Sequence, residues 1–124
     1  MAIDFSDLDE ALECRAADPH RALMLANRHI AANPDEPHGY FSRHLTLSQL
    51  RRFDEALADC MNTIALAPRF WGYQSRGEVY RALGDHERAL ADFNRARNID
   101  PGKAPGAADH WRARRRIDPD RSWQ

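Results

Sequence analysis

No run of apolar residues in this sequence approaches the roughly 20 that a membrane-spanning helix needs. The opening MAIDFSDLDE is acidic where a secretory leader is basic and then apolar, so the expectation is a soluble, cytoplasmic protein. Cysteine is scarce: Cys14 and Cys60 stand alone, without C-x-x-C spacing, and read as small reduced hydrophobes rather than as a bridge. There is no G-x-x-x-x-G-K, no H-E-x-x-H and no nucleophile elbow, so neither an enzyme nor a bound cofactor is expected. Six histidines are present, but His38 and His44 are too far apart in the chain to share the one helical face that metal ligands need.

The sequence also lacks an excess of charge of either sign. Its 18 basic residues nearly balance 19 acidic ones. The balance hides a gradient, because DFSDLDEALE opens the chain and WRARRR comes near its end. Basic residues beside Trp111 and Trp123 are the parts with which proteins grip nucleic acid. An acidic first third makes nucleic acid, or an anionic membrane surface, an unexpected partner of this arginine-rich tail all the same.

The chain does contain repetition. ALADC at 56–60 returns as ALADF at 89–93, and GYFSR at 39–43 returns as GYQSR at 72–76, both displaced by the same interval. ALMLANRHIAANP at 22–34 has the same frame, so there are three copies, each closed by a proline: Pro34, Pro68 and Pro101. Leu57, Met61 and Ile64 recur at helical spacing, and proline cannot continue a helix. Each copy is therefore the second helix of a hairpin whose first helix lies upstream, over roughly 5–17, 37–50 and 70–83. Asp18 with Pro19, and Gly84 with Asp85, supply the stop and start signals between partners, while RRFDE carries the weakest of the three. No strand signal competes, and the class is all-α.

SRGEVYRALGDHERALADFNRARNIDP, at 75–101, closely resembles the tetratricopeptide repeat, a helix–turn–helix unit of about 34 residues. Gly77, Tyr80, Gly84, Ala89, Phe93, Ala96 and Pro101 fall where that family's pattern wants them. The second copy keeps Tyr40, Leu47, Phe53, Ala56, Leu66 and Pro68, with His44 in the place of a small glycine. The first keeps Phe5, Leu8, Leu12, Ala22 and Pro34, aligned by allowing one extra residue near Ala17 and Asp18. The resemblance implies an α–α superhelix over residues 1–116, with repeats at about 3–36, 37–69 and 70–103, a capping helix at about 104–116, and a tail at 117–124.

The repeated letters predict two ion pairs. Arg43 stands as far ahead of Asp59 as Arg76 does of Asp92, so each pair is expected to face across its hairpin, with Leu8 and Leu25 filling the two slots in the first copy. By resemblance, the first helices line a concave groove that holds a partner segment. Its floor would be Ile3, Asp7, Glu10, Glu13 and Cys14; then His38, Phe41, Ser42, Leu45 and Gln49; then Trp71, Gln74, Ser75, Glu78 and Arg81. Some members clamp a chaperone's terminal carboxylates with lysine, arginine and asparagine, a set missing here. The expected ligand is a protein or peptide segment with basic and apolar residues, bound to an exposed Phe41, Leu45 and Trp71 by a scaffold or adaptor. Self-association is the alternative: Arg112, Arg114, Arg115 and Arg116 of one copy would reach the acidic end of another.

Overall fold

A computed structural model of the chain describes residues 2–100. Six helices follow one another: α1 (Ser6–Cys14), α2 (Pro19–Ala32), α3 (Pro37–Gln49), α4 (Phe53–Leu66), α5 (Phe70–Ala82) and α6 (His86–Ile99). Each packs on the next, and α1 also touches α3, so three helical hairpins stack into an all-α superhelix. Among the first helices of the hairpins, α3 and α5 end within a residue of the expected positions, at Gln49 and Ala82, while α1 stops earlier than expected, at Cys14. The capping helix expected at 104–116 and the tail at 117–124 lie outside the described residues. Among the described residues no helix is long and apolar enough to cross a membrane.

Local chemistry sets the helix ends. The Asp18 side chain accepts the Arg21 backbone N–H at 3.1 Å, and Asp85 accepts that of Arg88 at the same distance. α4 has no side-chain cap hydrogen bond, as its weak signal implied; Arg52 pairs instead with Glu55. The three second helices stop at Asn33, Ala67 and Asp100, whose ψ angles of 68°, 96° and 87° are the extended conformations that a following proline imposes. Between partners, Gly84 adopts φ 84° and Arg51, in the equivalent position, adopts φ 61°. Both close the same turn, with Asp85 N bonding Tyr80 O and Arg52 N bonding Leu47 O. Glycine does this freely, whereas for arginine the conformation costs about 1 kcal/mol in steric strain.

Two kinds of close approach build the stack. Within hairpins, Ala22, Ala56 and Ala89 are buried against the partner helix, and a Cβ on Gly77 would sit 2.6 Å from the Phe93 ring. Between hairpins, a Cβ on Gly39 would lie 2.7 Å from Ile30 Cγ1, and one on Gly72 would lie 3.0 Å from Ile64 Cγ1. These glycines are where α3 seats on α2 and α5 on α4. The core runs through both junctions. One cluster gathers Leu8, Ala26, Phe41, Phe70, Trp71, Tyr73 and Ala96; a second gathers Leu47, Ala56, Cys60 and Val79. Cys14 and Cys60 are free, and burial pushes both thiols above their usual range.

The predicted ion pairs are present. Arg43 Nε and Nη2 donate to the two Asp59 oxygens at 2.8 and 2.7 Å, and Arg76 Nε and Nη2 donate to Asp92 at 2.8 Å each. Both aspartates are buried and both arginines are about a quarter exposed. Tyr40 and Tyr73 lie beneath the guanidinium groups at 5.7 Å. The first hairpin solves the problem differently from the expectation. Leu8 joins the Phe41 cluster, Leu25 joins Ala11 and Ala22, and the two do not form one facing pair. The slot one repeat before Arg43 holds Glu10, which takes Arg21.

Breaking one partner of such a bidentate, buried pair strands a charge. Asp92→Ala is therefore expected to cost about 3 kcal/mol in urea unfolding, and the double change Arg76→Leu with Asp92→Leu markedly less. A double-mutant cycle at either pair should show coupling of about 1 kcal/mol or more; additive losses would mean that the pairs are not coupled in the fold.

Candidate functional site

The residues at the starts of α1, α3 and α5, the helices expected to face the concave side, form one aromatic row. Phe5 meets His38 edge-on at 6.0 Å between ring centroids, and His38 stacks on Trp71 at 4.9 Å. Trp71 is also edge-on to Phe41 at 4.9 Å, and Phe5 stacks on His29 at 5.6 Å. This row corrects the expected groove floor. His38, Phe41, Ser42 and Trp71 are buried, as is Ser75, whose Oγ donates to Trp71 O at 2.8 Å. Position along a helix tells which side a residue faces. It does not tell how near the next helix comes, and here rings from successive hairpins close on one another.

The first helix also sits in a different register from the one expected. The stretch from Phe5 to Ala22 is one residue shorter than those from His38 to Ala56 and from Trp71 to Ala89, so the first turn loses a residue rather than gaining one. The side chains above Phe5 on the concave side are then Asp9, Leu12 and Arg15 rather than Asp7, Glu10 and Glu13. Asp7 and Glu10 turn toward α2. Asp7 accepts from Arg28 Nε and Nη2 at 2.8 and 2.7 Å, and Glu10 accepts from Arg21 Nε at 2.8 Å. Ile3 precedes α1 and is exposed.

A buried polar cluster holds the row in place, and sequence reasoning missed it. The Glu36 carboxylate caps α3, accepting the His38 backbone N–H at 3.1 Å, and also bonds His29 Nε2 at 2.8 Å and His38 Nδ1 at 2.5 Å. A carboxylate only accepts, so both imidazole nitrogens carry protons toward it. Burial raises the Glu36 pKa, but the bonds from the two histidines outweigh it and hold the group at about 2. The signal was an acidic residue directly before Pro37, a helix-capping pattern. His44 fills the slot held by Ala11 and Gly77 in the other hairpins; its Nδ1 donates to Phe41 O at 2.5 Å, and burial brings its pKa down to about 4.

What remains open on the concave side is a cavity of about 350 Å³ between α3 and α5. Leu45, Gln49, Ser75 and Glu78, all expected on the floor, line it together with Arg15, His44, Ser48, Phe53, Val79 and Ala82. Gln49 Nε2 donates to Arg15 O at 2.8 Å, tying α3 to the end of α1. Glu78 is half-buried. Burial raises its pKa, partly offset by the Arg81 charge and a hydrogen bond from Gln74. Arg81 is exposed and lies over the Phe93 ring of its own hairpin at 5.6 Å. Gln74, Glu78 and Arg81 thus stay near one another, while Asp7 and Glu10 belong to another surface.

Two consequences are measurable. Because their rings are core, Phe41→Ala and Trp71→Ala should each lose about 3–5 kcal/mol of unfolding free energy rather than leave melting intact; unchanged melting would place the rings outside. His44 gives a pH signature. Its folded pKa lies below the unfolded 6.5, so its contribution to stability is fully present above pH 6.5 and is lost, by about 3 kcal/mol, as pH falls to about 4. Chemical denaturation across that window should fall less steeply in His44→Ala than in the natural chain; parallel profiles would show that His44 is not buried neutral. The Glu36 contribution is lost at lower pH, from about 4.5 downward.

Residues 71–103 match the Tetratricopeptide repeat family. Tetratricopeptide repeat protein 28 of Homo sapiens is 31% identical over 90 residues, which is 71% of this chain but 4% of that protein. The chain therefore spans a small part of the curated relative it matches. Among solved structures, MamA AMB-1 is 26% identical with a TM-score of 0.69, the match covering 78% of this chain and 59% of that one. The second TPR of Spaghetti (RPAP3), bound to the HSP90 peptide SRMEEVD, shares the fold with a TM-score of 0.71 at 22% identity, over 77% of this chain and 91% of that one. With its internal echo and six stacked helices, the chain belongs to the tetratricopeptide repeat family.

Proposed function

We propose that the chain is a protein-interaction module, a scaffold or adaptor that holds an extended segment of a partner protein along its concave face, across α3 and α5. The observation that carries this reading is the open cavity of about 350 Å³, which sets Leu45, Phe53, Val79 and Ala82 beside Gln49 and Glu78 on α3, α4 and α5. The shared fold supports it, since the Spaghetti domain holds a peptide. The acidic SRMEEVD type of ligand fits this chain poorly. In the register of the structure, Asp9, Leu12, Ser42, Trp71 and Ser75 stand where other members place cations and asparagine, and the last three are buried. A segment with basic and apolar residues fits better.

Self-association through Arg112 and Arg114–Arg116, which lie outside the described residues, has lost much of its motive. Of the acidic residues expected to attract them, Asp7, Glu10 and Glu13, the first two already hold Arg28 and Arg21.

The test is a display selection of random peptides on the full chain, followed by affinities for one selected peptide. Ala82 is exposed and lines the cavity, so Ala82→Trp fills the site without touching the core. It should weaken binding at least about tenfold while melting stays the same. Equal binding to both proteins would put the interaction surface elsewhere.

A further inference from the structure

Among the described residues, the fully buried acids all come with a cation or histidine. Asp59 and Asp92 hold Arg43 and Arg76, and Glu36 holds two histidines. Glu78 is half-buried and lines the cavity between α3 and α5, yet among the described residues no arginine, lysine or histidine lies within salt-bridge distance of it. Burial leaves its carboxylate harder to ionise than usual, an effect that the more distant charge of Arg81 and the Gln74 amide only partly offset. Arg15 lines the same cavity from the end of α1, but the charge that bears on Glu78 is that of Arg81. A carboxylate held part way out of water without a close counter-charge is costly on its own and becomes favourable when a cation arrives.

We infer that this cavity is the specificity pocket of the groove, and that it takes one lysine or arginine side chain of a partner protein's segment, with the charged end on Glu78. The apolar wall suits the rest of such a side chain. Leu45, Phe53, Val79 and Ala82 offer hydrocarbon to a stem of three or four methylenes, and a long cationic side chain lays its stem on such a surface while its head stays polar. Ser75 is buried, and Glu78 carries the one carboxylate among the lining residues, so charge selectivity at this point falls to Glu78. The inference rests on the reading of the concave face as a peptide groove, and it deepens that reading by naming the side chain the groove selects.

The same display selection, run on the full chain and on Glu78→Gln and Glu78→Lys variants, tests it. Wild type should enrich peptides with a lysine or arginine at one fixed position beside apolar residues. Changing that residue to glutamine in a selected peptide should weaken binding to wild type about tenfold and leave binding to Glu78→Gln nearly unchanged. Glu78→Lys should instead enrich aspartate or glutamate at that position. Both variants keep a long polar side chain at a partly exposed site, and thermal melting confirms that they fold. Peptides enriched without a basic preference, or with the same preference in Glu78→Gln, overturn the assignment and leave the groove reading standing. Retention of no peptide by wild type overturns both. Sizing chromatography of wild type and Glu78→Gln completes the set: an oligomer that only wild type forms would give the pocket to a second copy of this chain and overturn the partner segment as its occupant.

Discussion

The steric contact on which the rest of the structure depends is the seating of each hairpin on the one before it at a glycine. Gly39 stands over Ile30 and His29, and Gly72 over Ile64, with no room for a Cβ at ordinary contact distance. A Cβ at Gly39 would force the Ile30 and His29 side chains to shift, and one at Gly72 would press on Ile64. The aromatic row would open, and the clusters that span hairpins would lose their contacts. One hairpin has too little apolar surface to be stable alone, so the chain's stability is a property of these two junctions rather than of any helix.

Close seating buries carboxylates, and the fold gives those of Glu36, Asp59 and Asp92 a partner each. The carboxylates of Asp59 and Asp92 are forked by arginines that in turn lie over tyrosine rings. The Glu36 carboxylate does three things at once: it caps α3, it orients His29, and it fixes the His38 ring that stacks on Trp71. This cluster links the end of the first hairpin to the row that floors the concave side. Under the proposed function, a groove built on packed rings would present its open part, between α3 and α5, without having to be organised by a ligand.

The recurring letters G-Y-x-S-R now have a reason at each position. The glycine seats the hairpin, the tyrosine lies under the arginine, the serine is buried on the concave side, and the arginine forks its aspartate. Only the last of these was legible in the letters, because a charge held at one fixed interval from its opposite in two copies points to a specific contact. Tight packing at a glycine leaves no such mark: it depends on which side chain, Ile30 or Ile64, happens to stand opposite. The concave residues were legible as a side of a helix and illegible as a surface. Leu45, Gln49 and Glu78 line the cavity, while His38, Phe41 and Trp71 went into the core.

The amino-acid sequence by itself determined the helical class, the three hairpins, their caps and stops, and the two arginine–aspartate pairs. Each of these follows from local spacing, or from a spacing repeated within a hairpin, that is written in the chain. The tertiary structure alone decided the register of α1, the histidine–glutamate–histidine cluster, and the division of the concave side into closed core and open cavity. A turn one residue shorter than its counterparts moved the expected first-helix floor by two positions and gave Asp7 and Glu10 to α2. Such outcomes depend on the distance and angle between neighbouring helices, which the summed packing of many side chains sets and which no short stretch of sequence encodes.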